Sequence, residues 1–300
     1  MKMCVFVTGA TGFVGTAVVQ ELMQAGHEVL GLARSDAGAQ SLAAAGAKVH
    51  RGDLEDLDSL RSGAAASDGV IHLAFIHDFS KFREICETDR SAIEALGDAL
   101  AGSNRPLVIT SGTGMGNTVP GQLATEDNFN ALHPNPRSAS ELAGVSVAAR
   151  GVNVSVVRLP QVHDRDKQGL VTYSIALARE KGVSAYIGDG LNRWPAVHRL
   201  DAALVYRLAL EKGTAGARYH AVAEEGITAR AIAEAIGRGL KIPAVSKSAA
   251  EAAVHFGWLG MFAGMDMPAS SVLTQQRLGW RPTQKAGMID DLDHASAFGA

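Results

Sequence analysis

Short apolar runs alternate with longer amphipathic segments through the first half of the chain. Helical periodicity fills 12–25, 82–101 and 138–150. Because parallel strands need helical crossovers, this order predicts repeated βαβ units, and therefore an α/β fold with a doubly wound parallel sheet. The strand-like runs are 3–8, 28–33, 48–51, 69–73, 106–110 and 153–159.

The alternation loosens after Pro160. Helical patterns there cover 170–181, 201–211 and 229–239, which predicts a small and mostly helical C-terminal region. A strand-like run near 217–222 is expected to return to the main sheet. We therefore divide the chain into a larger domain at 1–165 and a smaller region at 166–300.

A glycine-rich turn follows the first strand. The residues from Val5 read VFVTGATGFVG. Glycines at this junction permit a tight turn, close approach of the backbone to a pyrophosphate, and tight packing of helix on strand. The helix dipole favours negative charge at the same place. The pattern predicts a Rossmann domain at 1–165 and a substrate-binding region at 166–300. The expected cradle residues are Gly9, Thr11, Gly12, Phe13, Val14 and Gly15.

The end of the second strand bears on which nucleotide binds. Arg34 and Ser35 follow this strand, and an arginine with a hydroxyl suits a 2′-phosphate. Alternatively, Asp36 meets a ribose diol, or Arg34 is a solvated loop cation. The residues favour NADP(H) over NAD(H).

The segment TGATGFVG resembles the TGxxGxxG fingerprint of extended and atypical short-chain dehydrogenase/reductases of the NAD-dependent epimerase/dehydratase type. The resemblance covers nearly the whole chain. It implies adenine contacts at Asp53 and Leu54, although Asp53 is equally suited to cap a helix. The remaining cofactor contacts that it implies are Leu73, Ala74, Thr110, Ser111, Pro160 and Val162.

The catalytic segments depart from this family. Thr113 matches the family's catalytic Ser or Thr, with Ser111 as the alternative. No tyrosine precedes Tyr173, so the usual YxxxK pair is missing. Aligning Glu141 with the family's glutamate puts His133 at the tyrosine position and Arg137 at the lysine position.

Asp89 stands at the position of the family's active-site Asn. A carboxylate cannot donate a hydrogen bond unless it is protonated, so a water relay would be altered. Alternatively, Asp89 pairs with a basic neighbour on its own helix. Arg137 can hold ribose hydroxyls but cannot exchange a proton. His133 can act as a general acid, or it is an exposed residue of the loop before a helix.

Composition narrows the range of partners. The chain has 300 residues, of which 20% are charged, and a formal net charge of -3, so it lacks the basic footprint of a nucleic-acid or anionic-membrane binder. Cys4 and Cys86 cannot form a disulfide framework. With no leader or apolar span of membrane length, we expect a cytoplasmic protein, and no HExxH or CxxC motif points to a metal.

Two features of the helices and the C-terminal third remain open. The Gly- and Met-rich segment 256–267 is either core packing or an adaptable wall over an apolar substrate. The helices at 82–101 and 138–150 correspond to those that form a homodimer interface in many relatives. The same helices would look alike if they only covered a sheet.

The resemblance and the motifs together predict an NADP(H)-dependent oxidoreductase that acts on a small carbonyl or alcohol by hydride transfer. Thr113 would hold the carbonyl oxygen, His133 or a water would supply the proton, and Arg137 would fix the nicotinamide ribose. Epimerase or dehydratase chemistry belongs to the same class. The alternative is a catalytically degenerate NADP(H)-binding sensor or scaffold.

Overall fold

The computed structural model describes residues 2–117, 119 and 121–298. Strands and helices alternate through its first half. The strands are β1 (Cys4–Thr8), β2 (Glu28–Ala33), β3 (Lys48–Arg51), β4 (Gly69–His72), β5 (Pro106–Gly112), β6 (Asn153–Leu159), β7 (Gln161–His163), β8 (Ser184–Ile187), β9 (Arg193–His198), β10 (Arg218–His220), β11 (Glu224–Thr228) and β12 (Ala244–Lys247). The helices are α1 (Phe13–Gln24), α2 (Asp36–Ala44), α3 (Leu57–Ala65), α4 (Phe82–Leu100), α5 (Ser138–Ala149), α6 (Val171–Lys181), α7 (Arg199–Lys212), α8 (Ala229–Leu240), α9 (Ala249–Phe256), α10 (Gly260–Ala263), α11 (Val272–Leu278) and α12 (Met288–Asp293).

The main sheet has seven strands in the order β10-β6-β5-β4-β1-β2-β3, and every neighbouring pair is parallel. The order reverses between β1 and β4, which is the point where open α/β sheets bind ligands beyond the carboxyl ends of their strands. The predicted doubly wound fold is confirmed. The strand near 218–220 lies at the edge of this sheet beside β6.

Helices cover both faces of the main sheet. One apolar core contains Val18 of α1, Leu42 of α2 and Val205 of α7. The other contains Leu60 of α3 and Leu96 of α4, together with residues of α5. Both faces of each central strand are thus buried, which is why these strands are apolar throughout instead of alternating.

The C-terminal region contains two small sheets that the sequence did not predict. One has the order β11-β9-β7 and the other pairs β12 with β8. A third core, which includes Ile175, Trp194, Ile232 and Phe256, packs around them. These strands have three to six residues, too short for a period-2 pattern to stand out. None of the described helices combines the length and apolar character needed to cross a lipid bilayer.

A buried ion cluster connects α5 to the edge of the main sheet. Arg158 of β6 donates two hydrogen bonds to Glu141 of α5, at 2.7 and 2.8 Å, and both side chains are fully buried. Arg218 of β10 donates a third, at 2.8 Å. Burial alone raises the pKa of Glu141, but the two arginines outweigh it and hold this pKa below its usual value. The carboxylate therefore fixes α5, β6 and β10 together.

We expect Glu141→Gln to lower the free energy of unfolding by about 3 kcal/mol or more, because two guanidinium groups lose the charge that compensates their burial. Urea denaturation followed by circular dichroism measures the loss. Glu234→Gln is the matched control, since Glu234 pairs with Arg230 at an exposed site on α8 and exposed pairs contribute about 0.5 kcal/mol. Equal losses of unfolding free energy in the two variants would contradict the role of Glu141 in fixing α5, β6 and β10 together.

Candidate active site

The turn after β1 forms a close-packed cradle. Gly9 has a φ of +66°, and a Cβ built on it would lie 2.7 Å from the backbone nitrogen of Ala74. A Cβ on Gly15 would lie 2.0 Å from the carbonyl oxygen of Gly9. Neither position tolerates a side chain, so the turn brings bare backbone to the carboxyl edge of the sheet. This is the geometry that a pyrophosphate requires.

The amino end of α1 faces this cradle with its backbone donors free of a side-chain cap. Gly12 occupies the N-cap position and makes no side-chain bond, and the first turn carries no acidic residue. Phe13 and Val14 begin the helix, and Thr11 is exposed in the turn before it. The first N–H groups of a helix need an external acceptor, so this end fits the phosphates of a dinucleotide.

The ends of β2 and β3 bring two arginines to one place. Arg34 is exposed, and Ser35 caps α2 by accepting a bond from the amide of Gly38. Arg51, the last residue of β3, donates to the carbonyl of Ser35 at 2.7 Å and to the carboxylate of Asp36 at 2.8 Å. Asp36 therefore has a cationic partner beside Ser35.

Asp53 does not cap α3, because the N-cap is Asp56. The Asp53 carboxylate accepts instead from the amide of Glu55, at 3.0 Å, and stays partly exposed in the turn after β3. Leu54 is buried in the core under α3 and α4. The alternative that Asp53 caps this helix was wrong, and its carboxylate remains partly exposed in the turn.

A buried polar chain begins at Thr8, the last residue of β1. Its hydroxyl accepts bonds from the amides of Leu73 and Ala74, both at 3.2 Å, and lies 2.8 Å from Nδ1 of His72. The hydroxyl hydrogen is thus free to be donated to Nδ1, which leaves Nε2–H of His72 to donate to Asp89, 3.2 Å away. This arrangement places Leu73 and Ala74 against the cradle.

Asp89 is the far end of this chain and is 1% exposed. Arg137 donates to its Oδ2 at 2.6 Å, and the hydroxyl of Ser140 donates to the same oxygen at 2.5 Å. Burial raises the pKa of Asp89, but Arg137 and the bonds from His72 and Ser140 outweigh burial and hold this pKa well below its usual range. Asp89 is therefore a carboxylate paired across helices. It does not pair with Arg90, which bonds Glu87 on the same helix.

Arg137 stands at the N-cap of α5 and joins three elements. Besides Asp89, it donates to the hydroxyl of Ser140 and, at 3.0 Å, to the carbonyl of Thr110 at the end of β5. The ring of Phe75 lies 4.1 Å from the guanidinium carbon. Three of the five N–H groups are used by these bonds, which leaves two free to donate. The guanidinium is thus fixed at the mouth of the sheet.

The tyrosine that approaches this site cannot replace the missing family tyrosine. Tyr206 of α7 lies 2.8 Å from the hydroxyl of Thr110, which donates to the carbonyl of His72. Tyr206 is fully buried, and burial raises its pKa far above the usual value. Its phenol is therefore a structural hydrogen-bonding group in the core and is inaccessible to a substrate.

The other predicted catalytic residues lie on separate segments of the chain. Thr113 is 4% exposed in the 3-10 turn after β5, whereas Ser111 is buried beneath α5 beside Glu141. His133 is half-buried in the loop before α5, and its Nδ1 accepts the amide of Asn135 at 3.1 Å. Burial lowers the pKa of His133. Its Nε2–H is thus the free donor when the ring is neutral.

The Pro160 segment connects the two regions of the chain. Pro160 lies between β6 and β7, and Val162 of β7 is buried and pairs with Val197 of β9. His163 of β7 is also buried, with its Nδ1 2.8 Å from Asp291. This histidine therefore belongs to the packing between β7 and α12.

Sequence reasoning missed the groups that hold Arg137 and accompany Arg34. Ser140 follows Arg137 by about one helical turn, a spacing at which side chains meet. This spacing was the sequence signal that could have identified Ser140 as a partner of Arg137. Thr8 meets His72 through the parallel pairing of β1 with β4. His72 meets Asp89 through the contact between β4 and α4. Arg51 lies beside Ala33 only through the pairing of β2 with β3.

Comparisons with known proteins agree with this geometry. Residues 5–223 match the model of the NAD dependent epimerase/dehydratase family. The chain is 51% identical to an uncharacterized protein of Schizosaccharomyces pombe, over 96% of this chain and 98% of that protein. It is 26% identical to the UDP-glucose 4-epimerase of Streptomyces lividans, over 93% and 91% of the two chains.

The fold is also that of a solved dTDP-glucose 4,6-dehydratase from Streptomyces venezuelae with NAD bound. That similarity has a TM-score of 0.77 at 21% identity and covers 98% of this chain and 96% of the other. The predicted resemblance and the expectation of an enzyme of epimerase, dehydratase or reductase type are confirmed at this level. The glycine cradle, the doubly wound sheet and the match over 5–223 thus agree, and the chain belongs to the NAD dependent epimerase/dehydratase family.

Proposed function

We propose that this protein is an NADP(H)-dependent oxidoreductase acting on a small carbonyl or alcohol at the carboxyl edge of the main sheet. The observation that carries the proposal is the fixed guanidinium of Arg137, held by Asp89, Ser140 and the carbonyl of Thr110 beside the glycine cradle. When bound, the nicotinamide supplies or accepts the hydride. Arg137 holds the ribose hydroxyls there, in place of the family's lysine.

The proton must come from another group, because an arginine stays protonated at any working pH. We assign it to His133, or to a water that His133 orients, with Thr113 holding the carbonyl oxygen. The half-buried position of His133 supports this role. The protonated ring donates from Nε2, and its Nδ1 then gives up the bond that it accepts from the amide of Asn135. A catalytically degenerate sensor is the second candidate, favoured by the buried state of Tyr206 and by an Arg137 that exchanges no proton.

Two copies are proposed to associate through α4 and α5, as the sequence suggested. Leu142 and Val145 support this, because they are 38% and 50% exposed on the outer face of α5. Apolar side chains on neighbouring turns of one helix favour contact with a partner surface. We propose that the protein acts in the cytoplasm.

Turnover and its pH dependence test the assignment of His133. We expect NADPH absorbance to decay with aldehydes, ketones or quinones, and kcat/KM to fall as pH rises through the pKa of His133, because the donor must be protonated. Burial lowers this pKa below its usual 6.5, so the fall begins on the acid side of that value. His133→Ala should lose the pH limb and about 100-fold in kcat/KM.

His294→Ala is the control, because His294 is exposed near the C-terminus, beyond α12. An unchanged pH limb in His133→Ala would remove His133 from the mechanism. NADPH binding without turnover of any compound in the panel would establish the sensor instead.

Arg34 and Ser35 support a preference for the 2′-phosphate of NADPH, since Arg34 is exposed directly before the N-cap of α2 and Arg51, which also pairs with Asp36, donates to the carbonyl of Ser35. We expect Arg34→Ala and Arg51→Ala each to raise the Kd of NADPH roughly tenfold and to leave that of NADH nearly unchanged. Titration of protein fluorescence measures both constants. Arg61→Ala is the control, as Arg61 pairs with Asp58 on α3. Equal losses for the two nucleotides would contradict recognition of the phosphate.

Asp89 and Arg137 are expected to act as one unit. Arg137→Lys and Asp89→Asn should each weaken NADPH binding about tenfold, because each leaves a buried polar group poorly paired. The double variant, which carries the family's Asn and Lys, should recover part of the loss, with a coupling energy of about 1 kcal/mol or more. Arg90→Lys with Glu87→Gln is the control cycle on the exposed face of α4. Additive losses would show that Asp89 does not position Arg137.

A further inference from the structure

A group of aromatic rings, which we call the aromatic wall, extends outward from Arg137. It joins the loop between β4 and α4 to α6 and to the segment around α10. Its members are Phe75, His77, Phe79, Tyr173, Trp258 and Phe262.

The inner end of the aromatic wall touches the proposed active site. The ring of Phe75 lies 4.1 Å from the guanidinium carbon of Arg137. His77 meets Phe75 edge to face at 5.6 Å between ring centres, and it meets Phe79 at 6.2 Å. The wall is therefore continuous with the group that we assign to the nicotinamide ribose.

The outer end presents aromatic surface to solvent. Phe79 and Trp258 stack at 4.7 Å with their planes only 5° apart, and Tyr173 stands edge-on to Trp258 at 5.1 Å. Phe262 closes the base and is buried, but Trp258 is 42% exposed and Tyr173 is 39% exposed. A pure core cluster would bury these rings, whereas here Trp258 and Tyr173 leave aromatic surface open to solvent.

Several arginines of the C-terminal region are not free to bind a nucleotide sugar. Recognition of a diphosphate needs guanidinium or ammonium groups free to meet it. The exposed cations near the aromatic wall are Lys81 and Arg83, next to Phe79 and Phe82 in the chain, and Lys167, near His77. The following arginines of the C-terminal region instead bond carboxylates of this chain: Arg193 with Asp266, Arg199 with Asp164, Arg230 with Glu234, Arg238 with Asp293 and Arg277 with Asp127.

We propose that the substrate of this site is an apolar carbonyl compound with a flat ring, which stacks on the aromatic wall and points its oxygen toward the mouth of the sheet. This rests on the proposed oxidoreductase function and names its substrate class. His77 lies between Phe75 and Phe79 in the wall. Burial, and then the charge of Arg137, lower the pKa of His77, which favours its uncharged form.

The test measures binding and does not depend on turnover. Calorimetry of 2-naphthol and of its saturated counterpart decahydro-2-naphthol, each on protein saturated with NADP⁺, isolates the contribution of stacking. We expect 2-naphthol to bind roughly fivefold tighter or more than decahydro-2-naphthol, because an aromatic pair stabilises the complex beyond the burial of apolar area. Trp258→Ala should abolish this preference, and Trp258→Phe should keep it. UDP-glucose should bind more weakly than 2-naphthol.

Val254→Ala is the matched control, because Val254 is an exposed apolar residue of α9, 86% accessible. An unchanged preference in Trp258→Ala, or tighter binding of UDP-glucose, overturns the proposal. If 2-naphthol binds but no carbonyl is reduced, the aromatic wall is still a binding surface for flat rings, and the proposed oxidoreductase function is wrong. If aliphatic carbonyls are reduced but 2-naphthol binds no more tightly than its saturated counterpart, the proposed substrate class is wrong and the oxidoreductase function stands.

Discussion

The proposed site depends on one buried carboxylate. Asp89 receives bonds from His72, Arg137 and Ser140, which come from β4, the start of α5 and its first turn. A lone charge at 1% exposure would be strongly unfavourable, so these partners are what allow it to exist there. In turn the carboxylate fixes the guanidinium, whose other bond goes to the end of β5.

This interaction explains why two departures from the family occur together. An asparagine at position 89 would leave the charge of Arg137 uncompensated in a buried place. A lysine at position 137 would offer Asp89 a single ammonium group, without the second nitrogen that Arg137 uses to reach Thr110. Asp89 and Arg137 make a matched pair with directional bonds. The pair positions a cation at the mouth of the sheet. Because Arg137 does not exchange a proton, a proton donor has to come from the surrounding loops.

The two sides of the mouth differ in chemical character. The side near β1, β2 and β3 offers backbone amides, Arg34 and Arg51, which suit phosphates. The side formed by the loop after β4 and the C-terminal region offers aromatic rings and carboxylate-paired arginines. Because charge and apolar surface are separated in this way, the proposed nucleotide and the proposed ring compound occupy distinct places.

The sequence by itself determined the doubly wound sheet, the glycine cradle and the family, because these follow from local patterns: strand length, helical period, and glycines that the backbone requires at fixed spacing. It also placed Asp89 and Arg137 at the altered positions. Only the tertiary structure decided that these two residues pair, that His72 and Thr8 extend the pair to the cradle, that Asp56 and not Asp53 caps α3, and that Tyr206 is buried. The cap at Asp56 is local, but the other contacts join residues many positions apart and arise from strand order and helix packing, which no local period encodes.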